Sequence, residues 1–239
     1  MTPKKYLIIF IFLAFLIGCS DDSNPTEPEN KTARELNIKE ITVPAAMKQS
    51  NDVHAQVANA YINLANAFRG YSVFYTPPAG AKNLSKTNED WARTWELDGL
   101  SVTMNYYETG TNFGWNIILN GTDGETTYNN WLFMEAQETI GASNGHLKIY
   151  KDGSSELETE WNYSTNSTGI YSFDLFMYSD ENPEKLSITS LPDDSGDLTF
   201  YKTFNGSFVP ESKVVWTAAG AGEWWEYDLD GNVKDNGTF

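Results

Sequence analysis

The chain is short of three things. Of its 239 residues only one is cysteine, Cys19. No intrachain disulfide can form, so the fold must be held by its core. There are two histidines, His54 and His146, with no His-Glu-x-x-His spacing to seat a metal. Basic residues are scarce: 16 Lys and Arg stand against 33 Asp and Glu, a formal charge of −17. Such a surface lacks the basic footprint that nucleic acid needs, and it repels anionic headgroups. A familiar motif of phosphate chemistry is missing too: no glycine-rich loop ends in Lys-Ser or Lys-Thr. No catalytic residue, metal ligand or cofactor is assigned from the sequence, and nucleic acid is excluded as a partner.

Long apolar runs are also missing, except at the start. Met1-Thr2-Pro3-Lys4-Lys5 is followed by an apolar run of about 12 residues from Tyr6 to Ile17, and then by Gly18-Cys19-Ser20. A basic start, a short apolar stretch and a small residue before a cleavage point are the parts of a secretory signal. Spanning a bilayer takes roughly 20 apolar residues, so a removed signal is expected over 1–18 rather than a permanent helix.

The end of that run, Leu16-Ile17-Gly18-Cys19, resembles the lipobox of bacterial lipoproteins. The resemblance implies that Cys19 becomes a diacylglycerol cysteine, that the signal is cut before it, and that the new amino terminus is acylated, for instance by palmitate. It also implies attachment to the bacterial envelope at the outer membrane. Several acyl chains, each CH₂ worth about 0.8 kcal/mol when buried, make such an anchor effectively permanent. Cleavage removes Lys4 and Lys5 and leaves a formal charge of about −19, so the lipid rather than the protein surface is expected to hold the membrane.

Residues 19–34 read as a lipidated, flexible, acidic tether. Ser20 to Lys31 is polar, acidic and twice interrupted by proline, too poor in apolar surface to offset the entropy of ordering. Ser20-Asp21-Asp22 also resembles the acidic export signal of surface-exposed lipoproteins of Bacteroidota-type bacteria. A plain linker that leaves the protein facing the periplasm is the competing reading, and the side of the membrane stays open.

Residues 35–239 read as a single domain. A helix is expected at about 44–68, where Val53, Val57, Tyr61, Leu64 and Phe68 recur on one stripe and Gly70 stands at the end. From about 71 to 239 the period changes to two. Phe113, Trp115, Ile117 and Leu119 alternate with Gly114, Asn116, Ile118 and Asn120, and Tyr171, Phe173, Leu175 and Met177 form a similar series. Asn120-Gly121, Asn144-Gly145, Asp152-Gly153, Asn205-Gly206 and Asp230-Gly231 are candidate hairpin turns. Together these predict a mainly β, α+β domain: one N-terminal helix packed on a curved antiparallel meander, half-barrel or barrel, of roughly ten strands. A helix followed by a curved sheet resembles the half-barrels of lipoprotein carriers and related lipid-binding lipoproteins. The strands lack the continuous lipid-facing band of a membrane-spanning barrel.

Candidate sites are few. Glu156, Glu158 and Glu160 alternate on one strand face, where paired carboxylates could cleave a glycosidic bond, although a solvated face explains them with less. Asp228-Leu-Asp230-Gly-Asn232 has oxygen ligands at alternate places, but its glycine is misplaced for a calcium loop and a hairpin accounts for it. The eight tryptophans all fall in the β region. Trp224 and Trp225 are adjacent, so a strand sends them to opposite faces, and one could stack on a ligand. The sequence therefore predicts a lipid-anchored, non-enzymatic binding protein whose partner, besides the membrane, is a small apolar ligand, a glycan or an envelope protein. Trp224 and Trp225 are its candidate contacts. A structural or assembly lipoprotein is the alternative, and a carboxylate-based glycoside hydrolase a third reading.

Overall fold

Among the described residues all strands belong to one sheet. The computed structural model describes residues 33–69, 77–84, 90–124, 126–179 and 181–239. The signal, Cys19 and the tether as far as 32 lie outside the described residues. Thirteen strands follow in chain order: β1 (Lys82–Asn83), β2 (Trp91–Leu97), β3 (Leu100–Glu108), β4 (Asn112–Thr122), β5 (Thr127–Thr139), β6 (Asn144–Tyr150) and β7 (Leu157–Thr165). The rest are β8 (Tyr171–Met177), β9 (Glu184–Ser190), β10 (Gly196–Phe204), β11 (Ser207–Trp216), β12 (Gly222–Tyr227) and β13 (Val233–Thr238). Their order in the sheet is their order in the chain, and every pairing is antiparallel.

The expected meander is therefore present, with two corrections. Among the described residues there are thirteen strands rather than roughly ten, because the two-residue β1 and the polar β13 carry no apolar alternation to announce them. The sheet also does not close into a barrel: among the described residues β1 pairs with β2 alone and β13 with β12 alone. Lys234, Asp235 and Asn236 on the β13 edge supply the charge and polarity that discourage a further strand.

Turn chemistry explains several of the hairpins. Asn205 and Gly206, at φ 50° and 76°, join β10 to β11 in the doubly left-handed geometry of a type I′ turn, and Asp98 and Gly99, at 48° and 87°, do the same between β2 and β3. Asp152-Gly153 and Asp230-Gly231 also lie in turns. Asn120-Gly121 and Asn144-Gly145 do not. The first pair sits inside β4 beside an irregularity in its pairing with β5, and the second opens β6. Those two glycines answer to cross-strand packing rather than to chain reversal.

The helical region also departs from expectation. Instead of one helix over 44–68 there are two, α1 (Ala45–Lys48) and α2 (Val53–Ala67). Asp52 divides them: its carboxylate accepts the N–H groups of His54 and Ala55 at 2.8 and 3.1 Å, an N-cap worth about 1 kcal/mol. The face α2 buries is Ala55, Ala58, Ile62 and Ala65, whereas Val53, Val57 and Leu64 of the expected stripe are 60%, 46% and 40% exposed. The sheet supplies the bulk, so the helix has to supply small residues. Tyr61 stacks on Phe200, Phe68 on Trp161 and His54 on Trp224.

Those three contacts fix the helix across the strands. Trp224 lies on β12, Phe200 on β10 and Trp161 on β7. Fifteen residues at 1.5 Å each give a helix of about 22 Å, close to the five spacings of about 4.8 Å that separate β7 from β12. Residues 33–43 cover the strands beyond. Ile38, Ile41 and Val43 are buried, and the Asn66 amide accepts from Ile41 N and donates to Ile41 O, pinning this segment to α2. Arg34, expected at the end of the tether, pairs with Glu108 at 2.7 Å. Trp115, Trp161, Trp216 and Phe173 are among the fully buried side chains of this face, each worth roughly 1.5–3 kcal/mol or more by burial. No helix of the described residues is long and apolar enough to cross a membrane.

Candidate functional site

With α2 and residues 33–43 on one face, the opposite face of the sheet carries the polar alternate positions. The register aligns them in rows. Gln137, His146, Asn162, Asp174, Ser187, Thr199, Lys213 and Trp225 follow one another from β5 to β12. Two residues along each strand, about 7 Å away, a second row runs Glu135, Lys148, Glu160, Phe176, Lys185, Tyr201.

The first row floors a groove of about 360 Å³ lined by Gln137, Asn144, His146, Asn162, Ser172 and Asp174, among others. Some of its polar groups are already engaged. Asp174 accepts the Ser187 hydroxyl at 2.5 Å and the Lys185 ammonium at 3.1 Å. Others are not: neither the Gln137 amide nor the His146 imidazole, both half-buried, has a hydrogen-bond partner among the described residues. Burial, and then the nearby Lys148, hold His146 below the usual imidazole pKa against the opposing pull of Glu135 and Glu160. The ring is neutral at pH 7 and offers one donor and one acceptor.

The second row is a connected rim. Glu135 accepts from Lys148 at 3.3 Å and from the Tyr150 hydroxyl at 2.9 Å, and burial together with that bond pushes Tyr150 up to about 12. Glu160 accepts the Tyr178 hydroxyl at 3.2 Å. The Lys185 ammonium stands over the Phe176 and Tyr201 rings at 5.1 and 5.6 Å. Held by these contacts, the rim can recognise a polar ligand with little further ordering.

The residues singled out from sequence fall in different places. Trp224 and Trp225 do point to opposite faces: Trp224 stacks on the His54 ring at 3.6 Å and packs against the core, while Trp225 ends the polar row beside Lys213. The two are not brought together into one site. His54 and His146 are half-buried rather than plain surface histidines. The first donates from its Nε2 to the Glu226 carboxylate, 3.2 Å away, and the second lies in the groove. Glu158 and Glu160 share the polar face of β7, with Glu156 just before the strand. In the last hairpin the Asp228 carboxylate is occupied by the N–H groups of Asp230 and Asn232 at 3.0 and 2.8 Å, the hairpin reading of that loop.

Sequence reasoning missed Gln137, Asn162 and Asp174. Each stands at a polar position of an alternating strand, which is also what a merely solvated face looks like. Only the register brings them side by side. Comparison with models of known protein families gives no match, and comparison with curated proteins gives none either.

Proposed function

We propose that this chain is a non-enzymatic, lipid-anchored binding protein of the bacterial outer envelope, fixed to the outer membrane through Cys19, and that it takes a glycan on the polar face of its sheet. The observation that carries the ligand class is the pair of half-buried, unpartnered planar groups, Gln137 and His146, in the groove with Asn162 and Asp174. Sugar hydroxyls both donate and accept, and amide, imidazole and carboxylate side chains fixed on strands meet both demands. A small apolar ligand is less well served, because the apolar face that would receive it is occupied by α2. This reading goes with a sheet curved as a half-barrel around α2, supported by the way one helix and one segment follow the apolar face from β12 to β3.

Two measurements test the parts separately. Cys19→Ser releases the protein from the membrane fraction; a variant that stays bound and full length rules out the lipid anchor. Gln137→Ala and His146→Ala weaken glycan binding by about tenfold without lowering the melting temperature. Wild-type affinity in both variants removes the groove from the site.

A second reading, an assembly lipoprotein with a protein partner, is favoured by the exposed Val53, Val57 and Leu64 on α2. Polar replacements there would abolish partner capture and leave glycan binding intact.

A further inference from the structure

Resting on the glycan reading above, we infer that the groove extends into a second subsite, an aromatic platform of Phe176 and Phe208, and that the ligand is a neutral oligosaccharide long enough to cover both. Phe176 stands on the polar face of the sheet, where the alternation otherwise places Glu135, Lys148, Glu160 and Lys185. Phe208, from the start of β11, meets it at 5.9 Å with the rings tilted by 60°, and is 39% exposed. Tyr178 lies beside Phe176 at 6.2 Å with the rings 12° from parallel. Apolar ring surface is thus gathered on the face of the sheet opposite α2.

The surroundings of these rings suit a sugar better than an apolar molecule. A pyranose offers an apolar C–H face to a ring and polar hydroxyls around its edge. Hydrogen-bonding groups border the platform: Glu160 is held by the Tyr178 hydroxyl, and Lys185 is held between Asp174, Phe176 and Tyr201. Asp174 and Phe176 are two residues apart on β8, about 7 Å along the strand. One residue lines the groove and the other belongs to the platform, so a chain of sugars can pass from one to the next.

Charge selects the neutral class. Glu135, Glu160 and Asp174 roughly offset Lys148 and Lys185 at the site, while the whole chain at −17 repels polyanions.

The test is calorimetric titration of the full chain in detergent with cellohexaose, mannohexaose, xylohexaose and chitohexaose, each compared with its disaccharide. At least one hexaose is expected to bind more tightly than its disaccharide. Phe176→Ala and Phe208→Leu are each expected to reduce hexaose affinity about tenfold and bring it down to that of the disaccharide. Phe208→Tyr, which keeps the ring, is expected to bind as wild type and so separates loss of stacking from loss of folding. If a hexaose binds and Gln137→Ala weakens it while Phe208→Leu does not, the platform is wrong and the groove reading stands. If no hexaose binds, both are overturned.

Discussion

The phenol of Tyr163 reaches across Gly145 to donate a 2.5 Å hydrogen bond to the carboxylate of Glu138. The three residues are neighbours in one row of the sheet, on β7, β6 and β5, and the middle one has no side chain to stand in the way. Glu138 also accepts the backbone N–H of Asn37 at 2.6 Å, which fastens residues 33–43 to the sheet. A glycine that reads in sequence as half of a turn is instead the gap through which an aromatic ring crosses a strand. The device recurs: Trp216 lies over Gly196, Trp224 over Gly237 and Tyr107 over Gly114.

Gly145→Ala is accordingly expected to destabilise the fold. A Cβ there would stand 2.6 Å from the Tyr163 oxygen and 2.5 Å from the carbonyl of Gln137, and relief of that crowding breaks the bond to Glu138. The expected cost is about 1–3 kcal/mol, read as a lower urea midpoint. A midpoint equal to that of the wild type would show that the ring does not need the gap.

Glu138 sets a pH dependence with a definite sign. Burial raises its pKa above the usual 4.5 against the opposing effect of its bonds to Tyr163 and Asn37. Between that ordinary value and the raised one the unfolded chain has lost the proton and the folded chain keeps it. Stability contributed by the protonated acid is therefore full below about 4.5 and is lost as pH rises through the folded value. Glu138→Gln keeps an oxygen acceptor for both donors and removes the titration. Denaturant midpoints of the two proteins, compared from pH 4 to pH 8, are expected to shift progressively in favour of the glutamine variant. A difference that is constant with pH would remove Glu138 as the cause.

On α2 the exposed members of the apolar stripe should contribute little. Val57→Ser, at an exposed position, is expected to change stability by about 0.5 kcal/mol or less. Ile62→Ala, on the buried face, is expected to cost about 2–5 kcal/mol. The reverse order in chemical denaturation would mean that the helix is rotated from the orientation described.

The two adjacent tryptophans should separate cleanly. Trp224 is enclosed by His54 and by Gly237, so Trp224→Ala is expected to lose about 2 kcal/mol or more. Trp225 stands on the polar face, and Trp225→Ala is expected to lower the melting temperature by much less. Equal losses would contradict their placement on opposite faces.

Much of the strand plan was legible. The inward series Phe113, Trp115, Ile117, Leu119 and Tyr171, Phe173, Leu175, Met177 lie on one face as their spacing requires, since alternation is a local property of extended chain. β13 was not legible, because Val-Lys-Asp-Asn-Gly-Thr carries no apolar alternation. The helix stripe was legible only in part: Tyr61 and Phe68 pack on the core, whereas Val53, Val57 and Leu64 face outward, because the space beside Trp161, Phe173 and Phe200 is filled by Ala55, Ala58, Ile62 and Ala65.

By itself, the sequence determined the properties that depend on neighbours in the chain: the signal-like start with its lipobox resemblance at Cys19, the excess of acid, the change of period near residue 71 and the turns at Asp152-Gly153, Asn205-Gly206 and Asp230-Gly231. Tertiary structure alone decided that the sheet stays open, that Gly145 and Gly237 serve aromatic rings across a strand, and that Gln137, His146, Asn162 and Asp174 line one groove. The physical reason is register. Residues far apart in the chain become neighbours only when hydrogen bonds fix which strand positions face each other, and that choice is made by the whole sheet against its helix.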